Sequence, residues 1–282
     1  MVIDFHTHLL PPHFQSNKHN LTKLDLTFAE MFSNKNSKIA NLEDLILSMD
    51  SNGIEISVVV NYGWTELSVA QTSNDYLLEA SSKYPDRIRS FISINPLWGD
   101  DAIREIERCV SSGASGIGEL HPSSQSVELP DEPGLNHVMQ YAEALRIPVM
   151  FHSSEPVGHG YPGKGTTTPA KLFSLIKKWN QVEIICSHWG GGLPFYGHMP
   201  EVKTALSNVY FDSAASPFLY DKYVYQTVAN SVGSKHMLFG SDFPLLSPKL
   251  LLDQISETCN SELSADLLHN NASRILGLEP LS

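Results

Sequence analysis

The feature that most constrains this chain is a repeated alternation. Eight short runs rich in β-branched and aromatic residues recur along its 282 residues, at 2–5, 56–61, 88–94, 114–120, 147–151, 182–186, 209–212 and 237–240. Between them lie stretches in which apolar residues recur with helical spacing. In 100–112, Ile103, Ile106 and Val110 share one face, Asp100 stands where a cap is needed, and Gly113 where a helix ends. Thr168 followed by Pro169, then Leu172, Leu175 and Ile176, marks another helix start. The strand ends, at His8, Asn61, Ile94, His121, His152, His188, Ala214 and Asp242, lie about 30 residues apart except across the first interval. Eight alternating units of this length predict an α/β fold, a closed (β/α)8 TIM barrel forming a single domain over residues 1–282. The long first interval predicts a loop insertion at about 9–40, in which polar residues from Pro11 to Ala40 precede a helix capped by Asn41. A connection of this length is either a functional lid or flexible. A second long loop, 157–168, is rich in glycine, carries His159 and Lys164, and lies on the same face of the barrel. Mobile surface loop and substrate contact are both open readings for it.

Composition narrows the partners. With 41% hydrophobic and 18% charged residues the chain buries a substantial core. Nineteen basic against 31 acidic residues give a net charge of −12, which works against broad contact with nucleic acid or anionic membranes and favours a small-molecule substrate. Cys109, Cys186 and Cys259 are widely spaced and odd in number, so they form neither a disulfide framework nor a thiolate zinc site. The N-terminus has ionisable groups where a signal peptide needs an apolar core, and no run approaches the roughly 18 apolar residues of a membrane span. A cytoplasmic location is expected, and a homo-oligomer is compatible with the sequence.

The chemistry lies at the strand ends. His6 and His8 are two residues apart on a strand, so both imidazoles point to one face and can chelate one metal. An isolated His-x-His pair is a weak signal and reads first as two satisfied polar residues. Here His152, His188 and Asp242 end the fifth, sixth and eighth strands, where barrel active sites are built. On the fourth strand Ile117, Glu119 and His121 share a face, which points Glu119 inward. A buried carboxylate needs a cation, a metal or a proton, so Glu119 is a candidate ligand or direct support, with a structural hydrogen-bonding role as the alternative. His121 either contacts substrate or ends the strand. Histidines and carboxylates without cysteine suit a divalent ion, Zn²⁺ first, with an open coordination position. Such an ion activates water, and Asp242 is the candidate base for the remaining proton.

Several segments together resemble the amidohydrolase-related branch of the amidohydrolase superfamily, including the aminocarboxymuconate-semialdehyde decarboxylase-like proteins. They are Ile3-Asp4-Phe5-His6-Thr7-His8, Phe151-His152, the run from Ser187 to Phe195, Val209-Tyr210-Phe211-Asp212 and Phe239-Gly240-Ser241-Asp242-Phe243-Pro244. The likeness extends to a closing segment at 271–278. It implies that His6, His8, His152 and Asp242 surround the metal, and that His188 polarises substrate or shuttles protons. One departure stands out: Gly118-Glu119-Leu120 resembles instead the glutamate strand of TatD-type metal-dependent hydrolases, in which such a Glu helps hold two metals. One tightly held ion is the reading taken, with two as the alternative, in which His152 and His188 hold the second.

The expected activity is metal-dependent hydrolysis of a small amide, ester or lactone, with Asp242 as base and His188 stabilising the oxyanion. The alternative is non-oxidative decarboxylation of a small aromatic or unsaturated carboxylic acid at the same site. A decarboxylase of dianionic substrates would benefit from an arginine fork. Arg87, Arg89, Arg104, Arg108, Arg146 and Arg274 all fall at strand starts or on helices, whereas Lys18, Lys23, Lys35, Lys38 and Lys164 lie in loops within reach of the site. Trp64, Trp98 and Trp189, each just after a strand, are candidates to line an apolar pocket.

Overall fold

In the computed structural model, eight strands pair in parallel, each with the next in sequence: β1 (Ile3–Thr7), β2 (Ile56–Val60), β3 (Ile88–Ile92), β4 (Gly116–Leu120), β5 (Val149–Phe151), β6 (Ile184–Cys186), β7 (Val209–Asp212) and β8 (Met237–Leu238). The ring closes where the Phe5 N–H donates to the Phe239 carbonyl and the His8 N–H to the Phe243 carbonyl, both at 2.7 Å. The structure describes residues 1–34 and 36–278; Lys35, one of the loop lysines named above, lies outside the described residues, as do 279–282. All eight expected strands are present in a (β/α)8 barrel, most of them shorter than the apolar runs that announced them.

Inside the barrel, Ile3, Phe5, Val58, Val60, Phe91, Met150, Ile185 and Leu238 form one buried cluster below the strand exits. Bulky branched and aromatic residues fill the interior as packed layers, so the barrel is a core rather than a pore. Phe91 reaches so far across that a Cβ on Gly116 would come within 2.5 Å of its ring, which reserves that position for glycine. A second and larger cluster lies between the strands and the outer helices.

Two local expectations need correction. The helix expected from Asp100 to Ser112 spans Asp100–Ser111, and Asp100 sits in its first turn behind Gly99 rather than capping it. There its charge still complements the helix N-terminus. The first connection is not a plain loop. It folds into α1 (Pro12–Ser16), α2 (Lys18–Leu24) and α3 (Leu26–Phe32), followed by α4 (Leu42–Asn52), which Asn41 caps as expected. Phe14, Phe28 and Phe32 pack this segment against Tyr62 and Trp64. Asp25 fastens it: one carboxylate oxygen caps α3 through the Phe28 N–H at 2.8 Å, and the other accepts from the Thr65 and Glu66 N–H groups at 2.8 Å. The connection is therefore held over the barrel mouth by a buried carboxylate and an aromatic cluster. Among the described residues no helix is long and apolar enough to cross a membrane.

Candidate active site

The barrel gathers His6, His8, Glu119, His152, His188 and Asp242 at one mouth, all buried. Although a register shift between Asp4 and Thr7 interrupts the pairing of β1 with β2, both imidazoles converge, with Nε2 atoms 3.0 Å apart. Asp242 Oδ1 lies 3.3 Å from His8 Nε2 and 3.9 Å from His6 Nε2. Glu119 Oε2 lies 3.9 Å from His6 Nε2, while its Oε1 lies 3.1 Å from His152 Nδ1 and 3.6 Å from His188 Nε2. Gly118 makes this placement feasible: its φ is +132°, and a Cβ there would stand 2.6 Å from the Met150 carbonyl oxygen.

The remote nitrogens of three imidazoles are already engaged. His6 Nδ1 is 2.8 Å from Asp212 Oδ2, His8 Nδ1 is 3.0 Å from the Val60 carbonyl, and His188 Nδ1 is 3.0 Å from the Ala214 carbonyl. Each of these acceptors requires the Nδ1–H tautomer, which leaves the Nε2 lone pair facing the centre. Asp212 also accepts the backbone N–H groups of His188 at 2.9 Å and Ala214 at 3.0 Å. His188 and Asp242 both have left-handed backbones, at φ 55° and 63°. Such a conformation costs roughly 1–3 kcal/mol in a non-glycine residue and persists where surrounding bonds over-determine it. Here those bonds are Asp212 on His188, and the His6 carbonyl accepting from Asp242 N–H at 2.9 Å.

The electrostatics call for a cation. Burial pushes the Glu119 carboxyl up, but His152, His6 and His188 more than offset this and hold it well below the usual carboxylate range. Asp242, likewise raised by burial, is drawn down to about 2 by His8, His6 and His188. Burial lowers His6, yet Asp212 and Glu119 outweigh it and lift the imidazole to about 10. Among the described residues no lysine or arginine pairs with Glu119 or Asp242. A proton on His6 therefore stands where a divalent ion would, and the nitrogen and oxygen donors, with His152 Nε2 buried and unpartnered, fit such an ion.

His121 stacks on His152 with ring centres 4.2 Å apart, and its Nε2 donates to the Gly163 carbonyl at 2.8 Å. Burial and neighbouring His152 lower it to about 4, so it is a neutral support for the second loop. A cavity of about 580 Å³ opens over His152, His188 and Asp242. Met31, Asn34 and Ser37 from the first connection line it, with His159, Tyr161 and Pro162 from the second loop, and Pro217, Phe218 and Leu245 opposite. The three tryptophans do not. Trp64 and Trp189 are fully buried, with indole N–H groups donating to Asn61 and Ser216, and Trp98 donates to the Thr65 carbonyl. Sequence reasoning missed Asp212, although a carboxylate ending the seventh strand was a usable signal. It also missed Tyr62, which stacks on His8 at 4.2 Å.

The family model described as Amidohydrolase matches residues 3–278. A 2-amino-3-carboxymuconate-6-semialdehyde decarboxylase of Dictyostelium discoideum is 23% identical, over 99% of this chain and 92% of the relative. A gamma-resorcylate decarboxylase of Polaromonas sp. is 25% identical, over 55% of this chain and 53% of its own length. Among solved structures, a 5-carboxyvanillate decarboxylase of Novosphingobium aromaticivorans, complexed with manganese and 4-hydroxy-3-methoxy-5-nitrobenzoic acid, superposes with a TM-score of 0.80 at 17% identity. That match covers 99% of this chain and 96% of the other, and it shows a shared fold.

Proposed function

The chain belongs to the amidohydrolase family of enzymes, and from that premise we propose that it is a metal-dependent decarboxylase of a small aromatic or unsaturated carboxylic acid. The observation that carries this reading over hydrolysis is the end-to-end likeness to a curated decarboxylase. Hydrolysis of an amide, ester or lactone is the second reading, favoured by one observation: among the described residues no arginine lines the cavity. Arg87 pairs with Asp50, Arg104 with Asp101, and Arg108 with Asp75 and Glu105, all away from it.

His6, His8, Asp242 and Glu119 would hold a divalent ion at the barrel mouth. Bound there, the ion would polarise the substrate's oxygen atoms and accept the charge that develops as the carbon–carbon bond breaks. Mixed nitrogen and carboxylate donors suit Mn²⁺ as well as Zn²⁺, and the manganese in a decarboxylase of the same fold supports the former. The residues of the chain do the rest. Asp212, Val60 and Ala214 fix the imidazole orientations before substrate arrives, so little reorganisation is left for the reaction step. Pro217, Phe218 and Leu245 give the cavity an apolar wall against which the substrate's body would pack. Loss of CO2 leaves an electron pair on carbon, which must take one proton. Asp242, on the cavity wall, would take that proton from solvent and pass it to the carbon.

A turnover screen tests the assignment. Metal-loaded protein is offered aromatic and unsaturated carboxylic acids beside lactones, esters and amides, with Asp242→Asn as control. CO2 release from an acid, absent in the control, is the expected result. Turnover confined to esters, lactones or amides would transfer the assignment to hydrolysis.

A further inference from the structure

The second long loop is closed at its base by one hydrogen bond, from the Ser154 N–H to the Thr167 carbonyl at 2.9 Å. Little holds it by burial: residues 156–160 are exposed, and among 156–166 only Gly163 is buried. Polar pins set its shape instead. Lys164 Nζ donates to the Val157 and His159 carbonyls at 2.9 and 3.0 Å, and His121 Nε2 donates to the Gly163 carbonyl at 2.8 Å. Glu155 is the third pin. Its Oε2 accepts from the Tyr161 hydroxyl and its Oε1 from the Tyr220 hydroxyl, each at 3.2 Å.

The two phenols belong to opposite walls of the cavity. Tyr161 lines it with His159, Pro162 and Gly163. Tyr220 ends the short helix Ser216–Leu219, whose Pro217, Phe218 and Leu219 line the other side. Tyr220 itself stands outside the lining and packs edge-on against Phe195, with ring centres 5.6 Å apart. Burial and the Glu155 charge push both phenols above the usual tyrosine range, so each keeps its proton and donates. Bonds to a charged acceptor are roughly twice as strong as those between neutral groups. Both rings are only partly buried, so packing alone does not fix them.

We propose that Glu155 is a positioning residue: by tying Tyr161 to Tyr220 it sets the width of the cavity and presents Tyr161 to the substrate's body. This rests on the reading of the cavity as the substrate site, and it holds for an acid, ester, lactone or amide alike. The loop is then a fixed wall of the site. Glu155, outside the cavity lining, acts on affinity rather than on the reacting bond.

Three variants of the metal-loaded protein test this. Glu155→Ala removes both bonds; releasing the Tyr161 side chain should raise KM for the best substrate of the screen by about 2- to 10-fold, with kcat within about twofold of wild type. Tyr220→Phe removes only a hydroxyl outside the cavity, yet should raise KM in the same direction, and it stands as the test if Glu155→Ala does not fold. Glu155→Gln keeps an acceptor for one phenol and a donor for the other, and should bring KM back to within about twofold of wild type. Hydrogen exchange, read without any substrate, should quicken at 156–163 in both Glu155→Ala and Tyr220→Phe. Unchanged exchange there in both variants would overturn the proposal whatever the substrate proves to be. So would a fall in kcat at unchanged KM, or a Glu155→Gln protein as impaired as Glu155→Ala, since charge rather than the bridge would then be what counts. If no compound of the screen is turned over, the decarboxylase and hydrolase readings fail, and the exchange measurement still decides the role of Glu155.

Discussion

Asp212→Asn separates a designed metal centre from a cluster of polar residues, because one carboxylate sets both the His6 tautomer and the His188 backbone. Its Oδ2 accepts from His6 Nδ1 at 2.8 Å, and its Oδ1 accepts two backbone N–H groups, those of His188 and Ala214. Asparagine offers one oxygen and one NH2. If the oxygen stays on the backbone donors, the NH2 faces His6 Nδ1, which must then accept. The imidazole proton moves to Nε2, and the lone pair aimed at the centre is lost. If the amide turns over, two buried N–H donors lose their acceptor, at roughly 1–3 kcal/mol each, and His188 loses the tether that holds its left-handed backbone. Changes to such outer partners typically weaken metal binding by about 10- to 100-fold, or about 1.4–2.7 kcal/mol. Chelator-competition titration of wild type and variant measures this directly, with metal-free melting curves run in parallel. A variant that melts lower but binds metal within about twofold of wild type would refute the reasoning, since Asp212 would then be only structural.

Asp242→Asn should lower turnover by about 10²- to 10⁴-fold, measured as CO2 release or as hydrolysis, whichever the screen identifies. Near wild-type rates would exclude the proton role. Glu105→Gln should destabilise the fold by about 1–2 kcal/mol, because Glu105 accepts from Arg108 and Asn74 in a buried setting, discounted for the partial exposure of Arg108. Burial raises the Glu105 carboxyl, but Arg108 and Asn74 hold it below its ordinary value of 4.5. The folded state thus favours the ionised form, so the stability gap between wild type and variant should be full above about pH 4.5 and shrink as pH falls below it. A gap that does not depend on pH contradicts this assignment. Phe28→Ala should cost roughly 3–5 kcal/mol and loosen α3 over the mouth, seen as a lower melting temperature and faster hydrogen exchange at 12–40. Unchanged exchange there would mean that Asp25 alone secures the segment.

The barrel was legible because its strands are buried almost throughout on both faces, so most announce themselves as short runs rich in apolar residues. Strand ends were overrun where the ladder stops before the apolar residues do. Phe239 and Gly240 extend the eighth run, but the chain there is already turning towards Asp242. The six residues of the candidate site were legible because they sit at or next to strand exits, a position fixed by topology. Asp212 escaped because it holds His6 and the His188 backbone rather than lining the cavity. The helices of the first connection escaped because they are only five to seven residues long, and the first two are mostly polar. Their apolar residues Phe14, Leu21, Phe28 and Phe32 nonetheless recur at intervals of seven, seven and four, which is helical spacing. The tryptophans misled because a large aromatic at a loop start fits a pocket wall and a core equally well, and only the indole N–H partners decide.

The central claim is that this barrel mouth performs its chemistry through bound divalent metal. It is tested most directly by following CO2 release from the best acid of the screen before chelation, after chelation and dialysis, and after metal is restored. The account predicts that release disappears on metal removal and returns with Mn²⁺ or Zn²⁺, with the fold unchanged by circular dichroism throughout. Release that persists at its original rate in fully metal-free, folded protein would contradict it.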